Sequence, residues 1–175
     1  MDSRTTRYSN PGMGRKRPTS GKPSPRKVLV SACLTGVPCR WDGGRLSIAG
    51  LAARIEAEGV EVVPFCPEEA GGLGTPRPRA WLVGGTGEDV LDGRARVVDE
   101  HGKDVTEAFL AGARAALERC LACGATEAVL AEGSPSCGPE ETHVGTAGSD
   151  GSRRVAGSGV TAALLRRHGI RLCGA

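Results

Sequence analysis

Seven cysteines, at positions 33, 39, 66, 120, 123, 137 and 173, are the residues of this chain best suited to chemistry. A thiolate is both a nucleophile and a soft-metal ligand, and its reactivity depends on where the fold puts it. Three of the seven share a setting. Cys33 opens the loop Cys33-Leu34-Thr35-Gly36-Val37-Pro38-Cys39-Arg40-Trp41-Asp42-Gly43-Gly44. Cys66 precedes Pro67-Glu68, and Cys137 ends the run Glu132-Gly133-Ser134-Pro135-Ser136-Cys137. Carboxylates and hydroxyls accompany them. Glu68, Glu69 and Glu132 can exchange protons near neutrality where a desolvated crevice raises a carboxyl pKa. Ser134 and Ser136 can orient a water or a substrate carbonyl. Taken singly, each Cys also reads as a small buried hydrophobe, and Glu68 and the serines as turn residues.

The elements that must position these groups follow from the hydrophobic pattern. Lys27–Ala32 and Val60–Pro64 read as short buried strands. Between them Leu46, Ala49, Leu51, Ala52 and Ile55 suggest an amphipathic helix closed by Gly59. Weaker strands fall near Trp81–Val83 and Ala95–Val98. A long helix spans roughly Val105–Leu121, with Val105, Phe109, Ala113, Ala116, Leu117 and Cys120 on one face. Thr126–Ala131 is a further strand, Val160–His168 a last helix and Ile170–Leu172 a last strand. Residues 69–80 and 139–158 read as loops. Strands alternating with helices predict a single three-layer, Rossmann-like α/β domain with a mainly parallel sheet, over residues 27–175.

Cys33, Cys66 and Cys137 then each sit just past the carboxyl end of a strand, where open parallel sheets bind ligands. Thiols 33 and 71 residues apart in sequence are thereby expected in one crevice. Three protein ligands leave a metal position open. A [4Fe-4S] cluster is usually held by four Cys, so three would leave one iron free to act as a Lewis acid or to bind sulfur. Cys39, in the same loop as Cys33, is a rival ligand, ranked below Cys66 because it lies farther beyond its strand.

Composition excludes several classes. The 175 residues suit one core; 39% are hydrophobic, and the 27 Gly show no three-residue period. A largely disordered chain and a collagen are both ruled out. No apolar run approaches the ~20 residues that span a bilayer, and no charged-then-apolar leader opens the chain. A reducing cytoplasm is the expected location, where clustered Cys are metal or catalytic thiols rather than disulfides. The net charge of +3 hides an asymmetry. Residues 1–27 hold eight Lys or Arg against Asp2 alone, and the remainder holds 15 basic against 19 acidic residues. Residues 1–26 read as a disordered basic tail, and the domain behind it as mildly acidic. Nucleic acid is not the expected partner, since such a tail binds phosphate without sequence preference.

Other signals are weaker. Cys120-Leu121-Ala122-Cys123 has redox or zinc spacing but falls at a helix end capped by Gly124, with no second such pair. Gly157-Ser158-Gly159-Val160-Thr161-Ala162 mimics a dinucleotide fingerprint without a strand before it or a suitably placed acid after it. His101, His143 and His168 show no metal spacing. Arg40, Asp42, Arg77 and Arg79 are candidate contacts for a polar substrate, or structural ion pairs.

Three motifs in order resemble the thiouracil desulfurase family: Ser31-Ala32-Cys33-Leu34-Thr35-Gly36-Val37-Pro38-Cys39-Arg40-Trp41-Asp42-Gly43; Cys66-Pro67-Glu68 with Gly71-Gly72-Leu73 and Thr75-Pro76-Arg77; and Ser134-Pro135-Ser136-Cys137-Gly138. The similarity runs from about Val28 to Ile170 and includes Gly157–Leu165. It implies a Rossmann-like domain with a [4Fe-4S] cluster on Cys33, Cys66 and Cys137. It also implies that the free iron takes sulfur from a thiolated nucleobase such as 2-thiouracil, aided by Glu68 and Ser134, with sulfide released and no net oxidation. Arg40, Asp42, Arg77 and Ser136 are the expected substrate contacts. The partner is then a small thiolated molecule, handled by a monomer or homodimer. Family members often carry an aromatic between the last Cys motif and the last helix, whereas Glu141-Thr142-His143-Val144-Gly145-Thr146 has none. The competing expectation is a non-catalytic cluster- or metal-binding module docked to nucleic acid by its tail.

Overall fold

The computed structural model describes residues 25–146 and 151–175. The expected tail therefore lies, as far as residue 24, outside the described residues. In chain order the first half contains β1 (Arg26–Ser31), a 3-10 turn (Ala32–Thr35), α1 (Leu51–Ala57), β2 (Val60–Phe65), α2 (Pro67–Ala70), β3 (Ala80–Val83), α3 (Gly87–Leu91) and β4 (Arg96–Asp99). The second half contains α4 (Thr106–Cys123), β5 (Glu127–Leu130), β6 (Glu141–Gly145), β7 (Ser152–Ala156), α5 (Val160–Arg167) and β8 (Arg171–Gly174).

The Val-Leu-Val run of β1 is buried on both faces, as a central parallel strand requires. It pairs in parallel with β2 on one side, Val28 opposite Val62, and with β5 on the other, Leu29 opposite Ala128. β8 completes a four-stranded sheet of order β2-β1-β5-β8, parallel throughout. The α/β class and the mainly parallel sheet are thus as the alternation predicts.

A second, mixed sheet of order β4-β3-β6-β7 is an addition to that expectation. β3 and β4 are antiparallel, β6 and β7 form an antiparallel ribbon, and Leu82 and Val144 join the two halves in parallel. Residues 139–158, read as loop, supply β6 and β7. Helix α1 also begins later than the pattern suggests: Gly50, at φ 70°, precedes Leu51, which leaves Leu46 and Ala49 outside it. Each sheet has its own core, and α4 and α5 enter both. Cys120, Ala162 and Leu165 pack with the first sheet, while Phe109, Ala113 and Val160 pack with the second. Among the described residues no helix is long and apolar enough to cross a membrane.

Candidate active site

From β1 the chain moves to β2 on one side and reaches β5 on the other, so the strand order reverses at β1. Ligand crevices form beyond the carboxyl ends at such a reversal. Here the crevice holds about 220 Å³ and is lined by Cys33, Cys39, Cys66 and Cys137 together with Glu68 and Ser134. Cys33 lies in the 3-10 turn after β1, Cys66 follows β2 with extended backbone, and Cys137 comes seven residues after β5.

Local sequence explains each placement. The Cys33 carbonyl accepts hydrogen bonds from the N–H groups of Gly36, Leu46 and Ser47, folding the Cys33–Ser47 loop back on itself. Cys66 is anchored through α2, whose Pro67 carbonyl packs against Gly112 of α4 so closely that a Cβ there would collide with it. Gly71 meets the Ala108 carbonyl in the same way. Ser134 Oγ accepts from the N–H of Ser136 at 3.1 Å and of Cys137 at 3.0 Å, shaping the turn that presents the third thiol. Gly159 admits the Ser134 and Ser136 carbonyls against the start of α5. Of the fingerprint-like glycines, Gly159 therefore serves close packing beneath the Cys137 turn, while Gly157 lies against Thr86.

The thiols sense one another. Burial pushes the Cys33 pKa up, and the neighbouring Cys66 adds to it, with a smaller contribution from Glu68. Cys137 is pushed up to about 12, chiefly by burial, then by Glu68, Cys33 and Cys66 against an opposing hydrogen bond with Ser31. Cys39 is raised by burial and by Cys66. Charges from three separate strand ends thus reach a common space, and cationic metal in that space would offset the cost of the thiolates.

Glu68 does not stand free in this setting. Arg77 Nε donates to Glu68 Oε2 at 2.7 Å, with the two side chains only 6% and 15% exposed. The same guanidinium donates to the Gly74 carbonyl, Thr75 Oγ1 and the Cys39 carbonyl. Four of its five N–H groups are consequently spent on holding Glu68 and two loops. Glu69 accepts from Thr75 Oγ1, and Glu132 accepts backbone N–H bonds from Glu140 and Glu141.

Of the expected substrate contacts, Arg40 lines the crevice and is forked onto Asp42 at 3.3 and 3.4 Å. Asp42 itself is exposed and lies outside the lining. Ser136 likewise lies outside the lining. It is fully buried, its hydroxyl paired with Thr161 Oγ1 at 2.9 Å, because the turn that aims Cys137 at the crevice directs its neighbour under α5. Cys120 is a core residue, Cys123 bonds the Cys120 carbonyl, and Cys173 is exposed; all three lie away from the crevice.

Sequence reasoning missed much of the rim. Phe65 and Trp41 supply aromatic surface, and the Arg79 guanidinium lies 5.2 Å from the Trp41 ring centroid. His143, Ser152 and Arg154 enter from the β6–β7 ribbon, with Arg154 paired to Glu141 at 2.9 Å. Thr142-His143-Val144 and Arg153-Arg154-Val155 carry no apolar/polar alternation, so the surrounding glycines make the stretch read as loop.

The family described as 2-thiouracil desulfurase matches the chain over residues 28–174. The Bacillus subtilis (strain 168) protein YbbK, described as uncharacterized, is 41% identical over 145 residues, spanning 83% of this chain and 93% of its own. A solved structure of the [4Fe-4S]-dependent thiouracil desulfidase TudS is 45% identical, with a TM-score of 0.71, over 85% of this chain and 90% of that one. An α/β scaffold with a thiol-lined switch-point crevice defines a ligand-binding class whose donors suit a soft metal. Within that class, the chain belongs to the 2-thiouracil desulfurase family.

Proposed function

We propose that this protein is a [4Fe-4S]-dependent desulfurase that converts the thiocarbonyl of a nucleobase such as 2-thiouracil into a carbonyl. Residues 27–175 act as its single domain, with Cys33, Cys66 and Cys137 as cluster ligands and Glu68 and Ser134 as catalytic groups. The observation that carries the reading is the meeting of three chain-distant thiols with a carboxylate at one switch point. The TudS likeness supports the cofactor and the substrate class. When bound, the cluster supplies a Lewis-acidic iron with affinity for sulfur. The overall change replaces carbon–sulfur by carbon–oxygen bonding with one water consumed and hydrogen sulfide released, and no electrons are exchanged.

The remaining chemistry belongs to the side chains. Arg77 fixes Glu68 through Oε2, which leaves Oε1 to take a proton from water and return it to the departing sulfur. Both acceptor sites of Ser134 Oγ are occupied by backbone N–H groups, so its own O–H is left to donate into the crevice, to a ring carbonyl or to water. Trp41 and Phe65 offer aromatic surface on the lining against which a flat ring can rest. Only a small molecule is needed as partner.

The test is anaerobic reconstitution with iron and sulfide, followed by assay of hydrogen sulfide from 2-thiouracil. Release by the native protein and its loss in Glu68→Ala are expected. A loaded protein that releases none from any of a panel of thiolated bases would instead support a non-catalytic cluster module.

A further inference from the structure

Cys39 has no part in that reaction, yet it is 2% exposed, lines the crevice and lies close to one of the proposed ligands. Cys39 Sγ, Cys66 Sγ and a Glu69 carboxylate oxygen all lie within 4.8 Å of one another. Cys33 and Cys137 are not members of this tight group. The spacing distinguishes two kinds of occupant. Thiolates at separate corners of a cubane stand apart, whereas ligands of one ion crowd together. Three donors on a tetrahedral ion with bonds of about 2.0–2.3 Å stand roughly 3.3–3.8 Å from each other. From separations of up to 4.8 Å, the three groups need to close by at most roughly 1–1.5 Å.

We propose that Cys39, Cys66 and Glu69 form a site for one thiophilic divalent cation, zinc or iron(II), in the protein without its cluster. Two thiolates and a carboxylate are a borderline-soft donor set that suits zinc and leaves a fourth position for water. Binding releases the two thiol protons and involves no change of oxidation state. The surroundings suit the role. The Cys66 thiol approaches the Cys39 carbonyl at 3.7 Å, and Arg77 Nη2 donates to that carbonyl at 3.0 Å, which ties the Cys39 loop to the Cys66 helix. Glu69 is exposed, and one of its oxygens is oriented by Thr75 Oγ1 at 2.7 Å, an outer-shell bond of the kind that fixes metal-binding carboxylates. Because Cys66 is shared with the proposed cluster site, a cation held here excludes the cluster. That competition rests on the cluster assignment above, whereas cation binding itself does not.

The experiment is titration of the cluster-free protein, under reducing anaerobic conditions, with cobalt(II) as a coloured stand-in for zinc. One equivalent is expected to give thiolate-to-cobalt charge-transfer bands with tetrahedral visible bands, reversed by zinc. Cys39→Ser should weaken binding at least roughly 100-fold, and the exposed Glu69→Gln roughly 10-fold with the thiols intact. Cys33→Ser and Cys137→Ser should leave the titration unchanged. Glu69→Gln guards against misfolding of the buried variant, and circular dichroism of each variant confirms the fold. Loss of the cobalt signal in Cys33→Ser or Cys137→Ser, or its full retention in Cys39→Ser, would overturn the proposal. Zinc-loaded protein should also accept less iron and sulfide than metal-free protein. Normal cluster loading despite a persistent one-equivalent cobalt signal would refute the competition and the sharing of Cys66, but leave the cation site standing.

Discussion

The two sheets contribute opposite halves of the crevice. The parallel sheet provides a floor of thiols beyond its strand ends, Cys33 and Cys66 half-buried and Cys137 buried, held by backbone packing. The mixed sheet and its loops provide the polar lining groups His143, Ser152 and Arg154, which share the crevice with Trp41, Arg40 and Arg79. Floor positions depend on contacts that tolerate no extra atom, such as Gly112 against Pro67, whereas rim groups are tied by side-chain pairs such as Arg154–Glu141. The contrast teaches that changes in the floor should act through assembly and chemistry, and changes in the rim through substrate affinity.

The largest effect that would sharpen this contrast is expected at the junction of the halves. Glu68→Gln keeps the side-chain shape but removes the proton acceptor, and should lower kcat for sulfide release by roughly 10²–10⁴. Iron and sulfide content should stay unchanged, and a drop in both would place Glu68 in the scaffold instead. Next comes Gly112→Ala, whose methyl meets the Pro67 carbonyl. It should cost roughly 1–3 kcal/mol in urea unfolding and reduce cluster loading by displacing Cys66. Unchanged stability would show that α2 can shift without cost.

A rim change should be milder. Trp41→Ala removes a half-exposed aromatic face and should raise KM roughly 3–10-fold with kcat little affected. A fall in kcat alone would move Trp41 from the rim into the chemistry. The smallest effect concerns the link between sheets, where Arg167 of α5 binds Asp92, just past α3, at 2.8 Å. That arginine holds the Asp92 carboxyl below its usual pKa, helped by Arg94. A depressed folded-state pKa contributes stability above the unfolded value of 3.8, and that stability is lost as pH falls below it. Asp92→Asn should therefore lessen the fall in stability between pH 5 and pH 3, by urea unfolding, while leaving pH 7 turnover unaltered. An identical acid limb in both proteins would remove Asp92 from the account.

The floor was far more legible in the sequence than the rim, for physical reasons. Short aliphatic strands with Cys33, Cys66 and Cys137 beyond their carboxyl ends announce a parallel sheet and its ligand edge, most clearly at β1, where burial on both faces leaves a continuous apolar run. The second sheet leaves a fainter trace: β3 and β4 show as weak strands, whereas β6 and β7 fall in a stretch that reads as loop. Its strands are four or five residues long, and Leu82 finds Val144 across more than sixty residues of chain. Partner choice was equally hidden. Nothing in the residue types distinguishes Ser134, at the crevice, from Ser136, buried against Thr161; the difference arises from a turn and from α5. Nor could Arg77 be assigned to Glu68 rather than to a substrate, since the loop joining them has no regular period.

The central claim is that Cys33, Cys66 and Cys137 together hold the cluster, and its most direct measurement is metal content after anaerobic reconstitution. Iron and acid-labile sulfide should be compared in the native protein and in Cys33→Ser, Cys66→Ser, Cys137→Ser and Cys39→Ser, with the fold of each checked by circular dichroism. The account predicts about four iron and four sulfide per chain in the native protein and in Cys39→Ser, and a marked loss in each of the other three. Full loading of Cys137→Ser, or loss of the cluster in Cys39→Ser, would contradict it.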